Sequence, residues 1–260
     1  MPAIWVFAGP NGSGKSTVTR RLMDGAPGVY INADMIQAHL HCDALQAAQI
    51  AEETREYYLR QGEDFTFETV LSTERNLELL RRAREQGYEI CCFYVLTRDP
   101  AVNLARVRQR AAAGGHDVPE DKVVERYYRC LRLLPKLLPL CSRVLIFDNT
   151  GDREAGTAAV IADLEDGQPA ELCPNAIWPE ADILACWKGV MPPSWARSER
   201  SGHTPGGACP AKWPGIPTCN REANVVYFLL LCRCVGMVDE ADSKSVASDG
   251  VWVRVPPPAP

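Results

Sequence analysis

Short apolar runs alternate with longer amphipathic stretches along the first two thirds of the chain. Ala3–Ala8 reads as an apolar strand, followed by a helix over 15–23. A short second strand fits 29–32. Residues 45–60 then place Leu45, Ala48, Ala51 and Tyr58 near one face at helical spacing among charges. Phe65–Thr69 reads as the next strand and 75–86 as a helix ended by Gly87. Glu89–Leu96 is a nearly continuous apolar run, the signature of a strand buried on both faces. Helices over 101–113 and 122–134 flank a loop containing Gly114, Gly115 and His116. Arg143–Asp148 reads as a final strand and 154–164 as a closing helix. Strands alternating with helices of about 10–15 residues imply βαβ units. The expected fold is α/β, with a parallel sheet covered on both faces.

After Asp166 that pattern stops. Thirteen of the 20 prolines and five of the six tryptophans fall beyond it, so regular elements are repeatedly interrupted. The apolar run over 225–234 has no neighbouring strand pattern to pair with. The ending Val251-Trp252-Val253-Arg254-Val255-Pro256-Pro257-Pro258-Ala259-Pro260 resembles an open reading frame running through a transfer-RNA gene. Residues 1–166 are therefore expected to form the domain. Residues 167–260 read as a low-order tail from a frameshift or read-through, the alternative being a small Trp-rich binding module.

Composition narrows the class. A net charge of −5 argues against a nucleic-acid binder, which normally shows a basic face. No apolar run approaches the roughly 20 residues that span a bilayer, and no basic segment precedes the first apolar stretch, so a cytoplasmic enzyme is expected. Of the 11 cysteines, Cys42, Cys91, Cys92, Cys130 and Cys141 lie inside periodic apolar segments and read as small hydrophobes. The later pairs Cys173/Cys186, Cys209/Cys219 and Cys232/Cys234 lack zinc-knuckle spacing and read as unpaired thiols, the alternatives being a disulfide framework or a metal site.

The chemistry begins at Gly9-Pro10-Asn11-Gly12-Ser13-Gly14-Lys15-Ser16-Thr17, which fits G-x-x-x-x-G-K-[ST] between a strand and a helix. Glycines at this spacing let successive backbone N–H groups turn inward as an anion nest at a helix N-terminus. Lys15 then supplies a point charge to the β- and γ-phosphates, and the Ser16 hydroxyl is the expected Mg²⁺ ligand. That motif makes the sheet one of the P-loop NTPase type. No N-K-x-D motif is present, which favours ATP over GTP. No apolar strand ends in Asp-Glu as in many motor ATPases. Asp148-Asn149 comes late, where it suits a nucleotide-contacting loop.

Four further motifs follow in order: Asn32-Ala33-Asp34, Phe67-Glu68-Thr69-Val70-Leu71-Ser72, Gly114-Gly115-His116-Asp117-Val118-Pro119 and Arg126-Tyr127-Tyr128-Arg129. With the P-loop, this set resembles the zeta-toxin family of P-loop kinases, in particular its short bacterial branch, over roughly the first 150–166 residues. The resemblance implies ATP-dependent transfer to the 3′-hydroxyl of UDP-N-acetylglucosamine and a small antitoxin partner. It implies that Asp34 is the base that receives the acceptor proton, and that Glu68, with Thr69 and Ser72 beside it, binds the acceptor. From the residues alone, Asp34 also reads as the N-cap of a short helix. Position 70 departs from the branch, which commonly reads F-E-T-T-L-S, and the hydroxyl missing at Val70 bears on acceptor identity.

Arg106 and Arg110 are four apart on one helix face, and Arg126 and Arg129 follow on the next helix. Guanidiniums on a helix–loop–helix suit a lid that closes over phosphates. The resemblance, whose family uses arginines from this region on the γ-phosphate, makes Arg110 and Arg126 the leading candidates there, and His116 is expected mainly to shape the loop. Two other readings stay open: a kinase for another metabolite, antibiotic or nucleotide, and a nucleotide-binding regulator without transfer activity.

Overall fold

Period-two alternation in the first strand decides how the sheet is covered. In β1 (Ala3–Ala8), Ile4, Val6 and Ala8 face the main apolar core, while Trp5 and Phe7 contact Phe93 at ring-centroid distances of 4.9 and 4.8 Å. The structure, a computed structural model, describes residues 1–115, 118–151, 158–175 and 177–188. After β1 come α1 (Lys15–Leu22), β2 (Val29–Ile31), α2 (Ala33–Leu40), α3 (Ala44–Gln61), β3 (Phe65–Thr69) and α4 (Arg75–Glu85). The chain continues through β4 (Glu89–Leu96), α5 (Pro100–Ala112), α6 (Glu120–Leu137), β5 (Arg143–Asp148), β6 (Ala159–Glu165), β7 (Gln168–Leu172) and α7 (Glu180–Trp187).

One seven-stranded sheet results, in the order β2-β3-β1-β4-β5-β6-β7. The first five positions are parallel, with Val6 opposite Phe67 on one side and Cys92 on the other. β1 and β4 are thus central and shielded on both faces, which is why their sequences are apolar almost throughout. Parallel strands bring their carboxyl ends to one edge, so the loops after β1, β2, β3, β4 and β5 gather where α/β proteins bind ligands. Against one face, Ala51 and Leu59 of α3, Leu77 and Leu80 of α4, and Tyr127, Leu134 and Leu137 of α6 join the main core. Val107 of α5 packs separately with Val118 and Val123. This helix–loop–helix therefore has a small core of its own.

The closing helix expected over 154–164 is instead a strand from Ala159, antiparallel to β5. Asp163 looks like a polar residue on a helix face, but here it accepts two hydrogen bonds from the Arg143 guanidinium (3.0 and 2.6 Å) across the ladder. Both side chains are mostly buried, and the bidentate pair offsets their desolvation.

Nor does the sheet end after Asp166. Asp166 and Gly167, with φ of 45° and 74°, form a two-residue hairpin turn into β7. Beyond it, Trp178 is fully buried, and Ile183 and Cys186 of α7 enter the main core. Residues 167–188 belong with the sheet and are not part of a tail. The expectations for 189–260 (the Trp-rich alternative, the pairs Cys209/Cys219 and Cys232/Cys234, and the proline-rich ending) lie outside the described residues. Among the described residues all cysteines are free, and no helix is long and apolar enough to cross a membrane.

Candidate active site

The loop after β1 is held by close backbone approaches that only glycine permits. Gly12 has φ of 75°, and a Cβ there would stand 2.4 Å from the Asn103 carbonyl oxygen. Gly14 has φ of 94°, and its Cβ would meet the Asn149 amide nitrogen at 2.1 Å. Asn149, in the loop after β5, donates to the Ser13 carbonyl at 2.7 Å, and Asn103 of α5 donates to the Asn11 carbonyl at 2.6 Å. Asn103 is in turn bonded to Thr97 at the end of β4. The loop is thereby clamped from two elements. Ser13 Oγ within it is buried without a partner.

Lys15 folds inward and donates to the carbonyls of Gly9 (2.8 Å) and Pro10 (3.0 Å). Burial lowers its proton affinity; the charges of Glu68, Cys130 and Asp34 oppose that shift, and Arg110 adds to it. A cation held this way beside two carboxylates is poised for a polyanion. Ser16 Oγ donates to Glu68 Oε1 at 3.1 Å, linking the loop to the end of β3.

Glu68 is the hub of the acceptor side. Its other oxygen accepts from Tyr30 OH (2.8 Å) and Asn32 Nδ2 (3.2 Å), and Asn32 also donates to Tyr30 OH at 2.9 Å. Burial and the Glu68 charge both push the Tyr30 phenol well above its usual range, so it remains a donor. The Asn32 carbonyl oxygen accepts from the backbone N–H groups of Asp34 (2.9 Å) and Met35 (3.3 Å). Asn32 is therefore the N-cap of α2, and the cap reading of Asp34 is corrected. Asp34 sits in the first turn, exposed, and no described side chain bonds its carboxylate. Thr69 Oγ1 accepts from Leu71 N (3.0 Å) and Asn76 Nδ2 (2.7 Å), which fixes the loop after β3.

A cavity of about 490 Å³ collects these groups. Asn11, Gly12, Gly14, Lys15, Ser16 and Thr17 line one side, and Asp34, Glu68, Thr69 and Val70 another. Arg110 and Arg126 close it from α5 and α6. Arg110 Nε is buried without a hydrogen bond, and Arg126 donates to Asn11 Oδ1 at 3.4 Å. The lid arginines divide by direction. Arg106 also lines the cavity, but its guanidinium donates to the carbonyls of Asn149 (2.7 Å) and Gly151 (2.8 Å). Arg129 is outside the lining and pairs with Glu125 at 2.6 Å. Gly9, Pro10, Ser13 and Ser72 are likewise absent from the lining, the first three shaping the loop from behind. His116 and Asp117 lie outside the described residues.

Sequence reading missed Tyr30, the capping role of Asn32, and Arg55, which reaches the cavity from α3. Asn32 did carry a signal, since Asn before a short helix is a favoured cap. Tyr30 and Arg55 carried none, because their neighbours are set by strand and helix packing. Among the described residues no group of three or more His, Cys, Asp or Glu could hold a metal ion. The hard oxygens of Ser16 and Glu68 beside the phosphate loop nevertheless suit Mg²⁺ accompanied by phosphates.

Comparison with known proteins bears on the family and the fold. The family model described as "AAA domain" matches residues 4–133, half of the chain. A Haemophilus influenzae protein described as uncharacterized is 29% identical over 126 residues, covering 46% of this chain and 89% of its own length. The solved structure of AvrRxo1-ORF1:-ORF2 with ATP superposes with a TM-score of 0.53 at 16% identity, covering 74% of this chain. This chain spans just under two thirds (64%) of that solved chain. The structure of the PezAT chromosomal toxin-antitoxin system of Streptococcus pneumoniae gives a TM-score of 0.44 at 19% identity, covering 63% and 72% of the two chains.

Proposed function

This chain belongs to the AAA domain family, and we propose from that premise that it is an ATP-dependent small-molecule kinase. It transfers the γ-phosphate to a hydroxyl of a sugar nucleotide such as UDP-N-acetylglucosamine. One observation carries the reading: the phosphate loop, a carboxylate without a described hydrogen-bond partner and two inward-facing guanidiniums line the same cavity.

The two carboxylates divide the work by their bonding. Glu68 already accepts from Ser16, Tyr30 and Asn32, so its lone pairs are largely committed and it serves to orient. Asp34 has no described hydrogen-bond partner and stands at the acceptor edge, so it takes the proton of the attacking hydroxyl. Thr69 is held in the acceptor groove by Asn76, and Ser72 follows in the same loop outside the cavity lining. Lys15 exchanges its two carbonyl contacts for the β- and γ-phosphates. Mg²⁺ held by the Ser16 hydroxyl would supply charge neutralisation between those phosphates. Arg110 and Arg126 stabilise charge on the transferred group from the lid. A fixed set of dipoles and cations suffices, because a loose phosphoryl transition state asks mainly for positioning.

The solved neighbour in complex with ATP supports the choice of donor. The same reading makes the protein a candidate toxin whose small antitoxin partner would restrain it. The test is transfer of label from γ-labelled ATP to a panel of sugar nucleotides and other hydroxylated metabolites, with the product mapped by mass spectrometry. A phosphorylated sugar hydroxyl is expected. Label reaching only water, with no acceptor modified, would overturn the kinase reading in favour of a nucleotide-binding regulator.

A further inference from the structure

Arg55 is a cation placed for a ligand. It lies on α3 in line with Ala48 and Ala51, spaced so that all three face one way, and all three line the cavity. The two alanines leave open space in front of the guanidinium. Its central carbon stands 5.2 Å from the ring centroid of Phe67, a fully buried β3 residue next to Glu68. Stacking on an aromatic face holds the guanidinium plane while leaving its N–H edge available.

The acids that would ordinarily neutralise it are engaged elsewhere. Glu52 pairs with Arg75 at 3.2 Å, and Glu56 takes a two-pronged pair from Arg82, with one contact at 2.9 Å. Among the described residues no carboxylate lies within ion-pair distance of Arg55. Burial lowers its basicity, and the more distant charges of Glu52 and Glu56 offset that only in part. Such a desolvated, unpaired cation is costly unless a bound anion completes it. Arg110 and Arg126 reach the cavity from the lid, whereas Arg55 comes from α3, which packs against α2, the helix that carries Asp34.

We infer that Arg55 forms an anion subsite for the acceptor, which therefore carries a phosphate or carboxylate group in addition to the hydroxyl that is phosphorylated. This rests on the kinase reading only in naming that ligand the acceptor. A planar guanidinium binds either oxyanion through two parallel hydrogen bonds, which a neutral sugar cannot offer. Discrimination between charged and neutral acceptors then resides at Arg55, while the transfer chemistry resides at Lys15 and Asp34.

The experiment is calorimetric titration of the full chain, saturated with Mg²⁺ and a non-hydrolysable ATP analogue so that the phosphate loop is filled. Three probes are used: N-acetylglucosamine 1-phosphate, glucuronate and neutral N-acetylglucosamine. At least one anionic probe should bind about 10-fold or more tighter than the neutral sugar. Arg55→Gln should weaken anion binding by about 10–100-fold, the range for a charged hydrogen-bonded contact, and leave the neutral sugar unchanged. Arg55→Lys should recover part of the loss, which separates charge from packing if Arg55→Gln also lowers Tm. The two anionic probes distinguish a phosphate from a carboxylate reader. Equal binding of neutral and anionic probes, no binding of either anion, or anion binding indifferent to Arg55→Gln would each overturn the inference. Label transfer by the unaltered protein is scored separately, so a failed kinase reading and a failed anion subsite give different results.

Discussion

Replacing Asn32 and Asp34 one at a time separates the scaffold of the acceptor edge from its chemistry. Asn32→Ala removes the cap of α2, which accepts from Asp34 N and Met35 N, and both donations from Nδ2. Loss of an Asn cap costs about 1 kcal/mol, within a range of about 0.5–2. The lost amide donations add about 1 kcal/mol, because Glu68 keeps Tyr30 and Ser16 as donors and is not left bare. The sum, about 1.5–3 kcal/mol, corresponds to a fall in Tm of about 3–12 °C for a folded unit of this size. Asp34→Asn loses the attraction of an exposed carboxylate to the first turn of α2, about 0.3–1 kcal/mol, hence about 1–4 °C. Its single-turnover rate at saturating ATP should nevertheless fall by about 10²–10⁴-fold. Thermal melts followed by circular dichroism, paired with single-turnover label transfer, read both quantities on the same samples. The reasoning fails if Asp34→Asn melts as early as Asn32→Ala and keeps its activity per folded molecule. It fails equally if Asn32→Ala melts within a degree of the parent.

Five other outcomes follow from the geometry. Lys15→Ala should abolish transfer and keep the fold, with a modest loss of Tm from the freed Gly9 and Pro10 carbonyls, checked by label transfer beside a melt. Arg110→Ala and Arg126→Ala should each depress kcat, and the double variant should lose less than the product of the two effects if they clamp one group, which a kinetic cycle measures. Trp178→Ala should destabilise by about 3–5 kcal/mol in chemical denaturation. A chain truncated after Asp166 should unfold where one truncated after Lys188 still binds ATP, because Trp178, Ile183 and Cys186 are core residues. Burial pushes the Cys130 and Cys186 thiols from an ordinary 9.0 up to about 12. Their folded-state values lie above the unfolded ones, so the stability they contribute is complete below about pH 9 and is lost as pH rises toward 12. Denaturant midpoints measured from pH 8 to 11 should fall along that limb.

Part of the local structure of this protein was legible in its residues. The phosphate loop needs particular residue types at fixed spacing, so the string from Gly9 to Thr17 announced its conformation between a strand and a helix. The strands Ala3–Ala8 and Glu89–Leu96 lie where their apolar runs place them, because a central strand covered on both faces leaves little room for polar residues. The hairpin at Asp166-Gly167 was also written in the chain. Asp-Gly between alternating segments is a strong turn signal, but it was masked by the proline and tryptophan content that follows.

Other features depended on partners distant in sequence. Residues 159–165 carry no period that excludes a helix; they form a strand because β5 offers an edge and Arg143 offers Asp163 a buried counter-charge. Which arginine faces the cavity was equally open from spacing alone. Arg106 and Arg110 share a helix face, yet Arg106 is bound to the carbonyls of Asn149 and Gly151 while Arg110 is not. Glu68 became a hub only when β2 came beside β3 and brought Tyr30 and Asn32 within reach of one carboxylate. Arg55 gained its role when α3 laid it over Phe67 and other arginines claimed the acids on either side. The sequence by itself determined the parallel strands and the phosphate loop, since these depend on neighbours a few residues away. Only the tertiary structure decided which charges are matched and which are left facing the cavity, because that depends on what packing brings within about 4 Å.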